Sequence, residues 1–314
     1  MIVYVTKRLV IGLVTLLLAS VVVFGVLEIL PGDPARIMLG MNAGPDALEA
    51  LRQEMGLNQP APVRFFQWLA GLVTGDLGRS YTYSSPVIDL VQERLVVSLP
   101  LALISLFLST AIAIPVGVFA ASRSGKLSDT LTMGTAQIGI ALPNFWLALL
   151  LVYVFAVGLR VLPAGGFPGW ADPVEAIKSL ILPSISLALP QAAILARVTR
   201  SAMVETLGED FIRTARAKGL PRRKVLWRHA LRNAMIPVLT ILGLQFSFLL
   251  AGTIIIENVF YLPGLGRLIF QAINQRDLIV VEGVVMLLVA SLILINLAVD
   301  ICYAIVDPRL RIGR

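Results

Sequence analysis

Four carboxylates lie in or beside long apolar runs of this chain: Glu28, Glu257 and Glu282 near the ends of such runs, and Asp300 about two helical turns from the end of the last one. A carrier driven by protons or sodium places ionisable groups of this kind within the hydrocarbon, where their cost marks them as functional. The middle of the runs is otherwise free of charge. Asp300 is the exception, and it either serves as such a group, pairs with a basic residue or reaches the interface. Neutral polar residues also fall inside the runs: Gln137, Asn144, Gln191, Gln245 and Asn296. Each can bond a neighbouring helix or line a pathway. A pathway without fixed charge suits brief passage better than tight binding.

Other chemistry is missing. His229 is the only histidine and Cys302 the only cysteine, which excludes a histidine-based metal cluster and an intrachain disulfide. No Gly-x-x-x-x-Gly-Lys-Ser/Thr loop is present to cradle nucleotide phosphates, so the chain cannot supply its own ATPase. Gly-x-Ser-x-Gly and His-Glu-x-x-His are absent too, which argues against a membrane hydrolase. The chain reads as a transport component without a cofactor of its own and not as an enzyme.

The charge is concentrated in one place. Between Arg197 and Arg232 ten Lys and Arg face three acids, Glu205, Glu209 and Asp210, and this excess equals the net charge of +7 of the whole chain. Glu209 and Asp210 predict a helix start, with Arg216 and Lys218 in its last turn, the charge order that a helix dipole favours. Gly219 ends that helix and Pro221 blocks its continuation. A second helix is expected from Arg222, with Leu226, Ala230, Leu231 and Ala234 on one face and Arg223, Arg228 and Arg232 on another. The segment therefore reads as helix, tight turn, helix, lying against the membrane. Contact with anionic lipid and docking of a soluble partner both fit; nucleic acid does not, because Trp227 is the only aromatic of the second helix.

These residues must be positioned by membrane helices. A composition of 57% hydrophobic and 14% charged residues, with mean hydropathy +0.86, is too apolar for a soluble domain. Crossing about 30 Å of hydrocarbon at ~1.5 Å per residue selects six runs: 9–27, 95–122, 130–159, 179–196, 233–256 and 283–306, the last interrupted by Asp300. Lipid offers no backbone partners, so these must be helices. The fourth is the shortest. The first exceeds a secretory h-region and lacks a small-residue cleavage site, so it is expected to be retained. With the N-terminus inside, seventeen basic residues face the cytoplasm and nine face out, five of them in the long segment 31–94 that holds seven acids. Both termini are expected in the cytoplasm. Pro115, Pro143, Pro183 and Pro190 are expected to bend or interrupt their helices, as packing kinks or along a transport path. Within the first outer segment, helices are predicted over 45–55, ended by Gly56, and over 63–73.

Seven short motifs, in order and at fixed places relative to the six runs, carry a resemblance. They are Leu30-Pro-Gly-Asp-Pro-Ala35, Gly75-Asp-Leu-Gly78, Pro143-Asn-Phe-Trp146, Thr214-Ala-Arg-Ala-Lys-Gly-Leu220, His229-Ala-Leu-Arg-Asn233, Glu257-Asn-Val-Phe260 with Pro263-Gly-Leu-Gly-Arg267, and Asp307-Pro-Arg309. The chain resembles membrane permease subunits of type I ABC importers, in the oligopeptide, dipeptide and nickel branch. Arg213, Thr214 and Arg232 stand where the general coupling motif has Glu, Ala and Pro, and these departures are typical of that branch.

The resemblance implies an all-α fold of six transmembrane helices in the bacterial inner membrane. It divides the chain into a first helix with its outer segment (1–94), a five-helix permease core (95–307) with its coupling loop at 197–232, and a cytoplasmic tail (308–314). It further implies ATP-coupling residues Arg213, Thr214, Ala215, Arg216, Ala217, Lys218, Gly219 and Leu220. An outer segment is implied at Glu257, Asn258, Phe260, Pro263, Gly264, Gly266 and Arg267, with Gln137, Asn144, Gln191 and Gln245 as candidate pathway residues. The implied partners are a homologous second permease, two ATPase subunits that bind ATP and Mg, and an extracytoplasmic binding protein. Di- or oligopeptides are the implied solutes, with nickel chelates, glutathione or opine-like compounds as alternatives and an ion-coupled carrier as the distant one. Ala215 and Gly219 are expected to be small because the coupling turn approaches another protein closely.

Overall fold

A computed structural model describes residues 2–29, 33–39 and 44–306. The start of the Leu30–Ala35 motif, the Asp307–Arg309 motif and the 308–314 tail lie outside the described residues, as do the side chains of Asp300 and Cys302. Contacts divide the described residues into two compact units, one of residues 98–262 with 295–306, the other of residues 2–97 with 263–294. The regular elements among the described residues are helices, joined by turns and loops that include one isolated bridge between Arg79 and Pro86. Among the described residues five helices are long and apolar enough to cross a membrane, or six if the bent pair 127–141 and 144–158 counts as one span.

In the first unit the central element is α8 (Pro173–Leu207); α1 to α7 precede it at Ile2–Ile29, Pro34–Leu39, Pro45–Glu54, Ala61–Thr74, Val87–Ser122, Leu127–Ala141 and Asn144–Leu151. Asp172 caps α8 by accepting the N–H groups of Val174 (3.1 Å) and Glu175 (3.2 Å), and Pro173 occupies the first turn, where it costs no hydrogen bond. The run that looked shortest is thus a 35-residue helix, and 72% of its most apolar window is buried in protein. Its modest hydropathy follows from that position. A helix surrounded by other helices touches little lipid, so buried Ser179, Ser184 and Ser186 are tolerated among Leu180, Leu187 and Leu195. Pro183 and Pro190 sit within it without ending it, as do Pro100 and Pro115 in α5.

Helix α5 approaches α8 at Gly117. A Cβ there would lie 2.6 Å from Thr199 Cβ and 2.8 Å from the Ala196 carbonyl oxygen, so only glycine allows the backbones this close. Gly117→Ala is expected to destabilise the chain by about 1–3 kcal/mol through overpacking, read as a lower thermal unfolding midpoint in detergent.

The third predicted span is interrupted at Pro143. Leu142, forced out of the helical region by the following proline (ψ 126°), ends α6, and α7 begins at Asn144. With its π-helical extension Val152–Gly158, α7 makes an angle of 97° with α6.

In the second unit α1 is largely exposed along its apolar length, the pattern of a lipid-facing helix. Helices α3 and α4 correspond to the two predicted in the outer segment. Gly56 (φ 66°) follows the first and Gly75 (φ 81°) caps the second, both in the left-handed region that favours glycine. Phe24 of α1 packs edge-on against Phe65 of α4, with ring centroids 5.4 Å apart.

Candidate functional site

The basic turn is built on α8. Gly208 caps that helix, Glu209 adopts an extended conformation, and α9 runs from Asp210 to Ala217. Ile212 and Ala215, three residues apart, share one face of α9 and are buried in a cluster with Val118, Ala202, Met203 and Val225. The other face is exposed and carries Phe211, Arg213, Thr214, Arg216, Ala217 and Lys218. Arg213 donates to Asp210 across the surface (3.1 Å), a solvated pair that contributes little.

Gly219 (φ 75°) turns the chain, with its N–H donating to the Arg216 carbonyl (2.9 Å) and that of Leu220 to the Ala215 carbonyl (3.3 Å). Pro221 then caps α10 (Arg222–Lys224), which passes through a π-helical segment, Val225–Ala230, directly into α11 (Leu231–Val259).

Two expectations change here. The second arm of the turn is no separate surface helix but the first turns of a span, because Val225, Ala230 and Ala234 continue one buried stripe. Ala215 points into its own unit, so its small size serves internal packing; Gly219 has a positive φ that favours glycine, and within the chain an added Cβ would meet nothing within 4 Å. Of the eight predicted coupling residues, Ala215 thus supports the turn from beneath, Leu220 is half-buried, and the other six are exposed.

Sequence reasoning missed the brace beneath the turn. Arg200 of α8 donates from Nε and Nη2 to the two oxygens of Asp129 in the first turn of α6, both at 2.6 Å, and Asp129 also accepts the Gly125 N–H (3.1 Å). The Asp129 side chain is 4% exposed. Arg222 donates to the Ser122 carbonyl at the end of α5. Separations of 71 and 100 residues leave no local signal for either contact.

Of the predicted outer segment, residues 257–262 form a tight corner in the first unit. Glu257 is fully buried and accepts from the Ser98 hydroxyl (2.5 Å), while its carbonyl takes the Leu262 N–H (2.9 Å). Phe260 is buried, and its carbonyl accepts the Gly166 N–H (2.8 Å). Asn258 is half-buried and donates to the Ile254 carbonyl. In the other unit Pro263 precedes Gly264, the cap of α12 (Leu265–Gln275); Gly264 and Gly266 are buried and Arg267 half-buried. The exposed side chain of this corner is Tyr261, which the motif reading had passed over.

Among the candidate pathway residues the structure joins Gln191 and Gln245: the Gln245 amide donates to the Gln191 backbone carbonyl (2.8 Å), while Gln245 Oε1 is buried without a hydrogen-bond partner among the described residues. The hydroxyl of Ser184, on the same helix as Gln191, is also buried without a partner among the described residues. Gln137 instead accepts from Arg197, and Asn144 opens α7 after the bend.

Comparison with known proteins decides the family. Residues 113–312 match the family described as binding-protein-dependent transport system inner membrane component, and residues 1–102 match its N-terminal family. The chain belongs to this family. A Brucella abortus (strain 2308) protein named as a peptide transport system permease is 44% identical over 306 residues, covering 97% of this chain and 98% of the relative. The glutathione transport system permease protein GsiC of Escherichia coli (strain K12) is 42% identical over 309 residues, covering 98% of each. Among solved structures, an inward-facing MetNI methionine ABC transporter chain matches in fold, with TM-score 0.59 and 20% identity over 69% of this chain and 96% of its own. The protein is therefore a multi-pass permease of the bacterial inner membrane, the transport component of a binding-protein-dependent ABC importer. Such an importer works with ATPase and substrate-binding subunits.

Proposed function

We propose that this permease forms half of the path by which small peptides enter the cell, and that ATPase motion reaches it through the exposed face of α9. The observation that carries this is the geometry of the turn, an amphipathic helix whose apolar face is anchored in its own core and whose polar face is free. The excess of basic residues supports a cytoplasmic position for this turn and for both termini. A homologous second permease completes the path, two ATPase subunits bind ATP and Mg, and a binding protein delivers the solute from outside. Closure of the ATPases pulls on α9, and the anchored helix transmits the pull to α8 and α11, which opens the path outward; hydrolysis resets it.

The names of the relatives support a peptide as the solute, glutathione being a tripeptide. Neutral polar groups such as Gln191, Gln245 and Ser184 fit a path that passes a zwitterion without holding it. The test is reconstitution of the whole complex in liposomes, with the solute that copurifies with the binding protein identified by mass spectrometry. Uptake of a di- or oligopeptide that needs both ATP and the binding protein is expected. Uptake by the purified chain alone under a proton or sodium gradient would contradict ATP coupling, and a non-peptide solute would contradict the substrate class.

A further inference from the structure

Two cavities follow one another between α1, α4 and α13 (Leu278–Val306), all within the unit of residues 2–97 and 263–294. The first, of about 240 Å³, lies where α1 ends and α13 begins, and its wall includes Phe24, Trp68 and Tyr81. Four charged side chains line it. Glu28 and Arg64 pair with each other. Among the described residues, neither the Glu282 carboxylate nor the Arg276 guanidinium makes a hydrogen bond or a direct salt bridge, although the Arg64 guanidinium in the same wall acts on Glu282 through space. The indole N–H of Trp68 is buried and likewise lacks an acceptor.

The second cavity, of about 530 Å³, is lined wholly by apolar residues, among them Leu13, Leu17, Leu72, Met286 and Leu287. Leu77 belongs to both walls. Further along the seam α1 and α13 come close: a Cβ at Gly12 would lie 2.9 Å from Ile293 Cγ2. The space is thus polar at the helix ends, apolar along the helices and narrow beyond.

A carboxylate and a guanidinium that line a cavity without a direct hydrogen bond or salt bridge can take a cation and an anion, and the Trp68 indole a further acceptor. An apolar space of this size beside them asks for hydrocarbon. We propose that the two cavities together bind one zwitterionic aminophospholipid. Its ammonium lies against Glu282 and the aromatic wall, its phosphate accepts from Arg276 and the Trp68 indole, and one acyl chain fills the cavity between α1, α4 and α13. A free peptide carries the same two charges but leaves the apolar cavity empty, which favours the lipid. The site is built within the unit that contains neither α9 nor the Gln191–Gln245 pair, so the proposal does not depend on the solute.

The test uses the complete complex, purified from membranes containing both phosphatidylethanolamine and phosphatidylglycerol and examined by native mass spectrometry. One phosphatidylethanolamine retained per copy of this chain is expected. Glu282→Gln should lower that retention about tenfold, the loss of one charge-assisted contact, and Leu287→Trp should lower it by filling the tail cavity. Equal retention of both lipids by the unaltered complex, retention of a free peptide in place of lipid, or undiminished retention in Glu282→Gln would overturn the proposal. If the variants do not assemble, the unaltered complex, delipidated and refilled with one lipid at a time, decides. A thermal midpoint raised by phosphatidylethanolamine and not by phosphatidylglycerol supports the site, and any other pattern overturns it.

Discussion

Gly219→Val is expected to leave the chain inserted in the membrane and to lower substrate-stimulated ATP turnover of the reconstituted complex by at least about tenfold. The backbone at Gly219 has φ 75°, where a β-branched side chain costs about 1–3 kcal/mol. That cost is of the same size as what the two hydrogen bonds to the Ala215 and Arg216 carbonyls return in water, about 1–3 kcal/mol together, so the turn loosens and α9 loses its fixed direction. A clash within the chain is not the cause, because nothing lies within 4 Å of an added Cβ. Gly219→Asn separates the two roles a glycine can have there. Asparagine tolerates the left-handed region, so it should keep most of the stimulation if backbone direction matters. Loss with both variants would mean that a partner approaches too closely for any side chain, and normal stimulation with valine would remove the turn from the coupling route.

Asp129→Asn is expected to have the largest effect on stability. Removing one charge from a bidentate pair strands Arg200 beside a neutral group at the base of α8, at a cost of roughly 2–3 kcal/mol, reduced from that of a fully buried pair because Arg200 is 29% exposed. The thermal midpoint of the purified permease should fall by several degrees, and ATP turnover should become less dependent on solute as the support of the turn loosens. A midpoint unchanged within error would show that the pair is screened and that the cluster around Met203 holds the turn alone.

The parts of this protein visible in its sequence are those set by local chemistry. Apolar runs against the thickness of a bilayer identify the spans, and Pro143 marks the break between α6 and α7 because it restricts Leu142 directly. Gly219 and Pro221 locate the corner of the basic turn for the same reason. What depends on contacts between distant segments was not legible. Ala215 looked like a residue kept small for a partner, yet it faces Ala202 and Val225 of its own unit. The 179–196 run seemed the weakest span, and α8 is the most enclosed helix of those long enough to cross, because its low hydropathy reflects protein neighbours in place of lipid. Arg200 counted only as one of ten positive charges, and its pairing with Asp129 emerged only from the fold. Glu257 looked like part of an outward surface, and its burial against Ser98 makes it a support for the corner that exposes Tyr261.

The central claim is that the exposed face of α9 meets the ATPase. Its most direct test is site-directed cross-linking in the assembled complex, with Cys302 replaced by serine and single cysteines introduced by Thr214→Cys or Lys218→Cys on the exposed face, or by Ile212→Cys on the buried one. A short bifunctional reagent should join the first two to an ATPase subunit, with yields that change when ATP is added, and should leave the third unmodified. An intact complex in which neither exposed position cross-links, or in which Ile212→Cys does so equally well, would contradict the account.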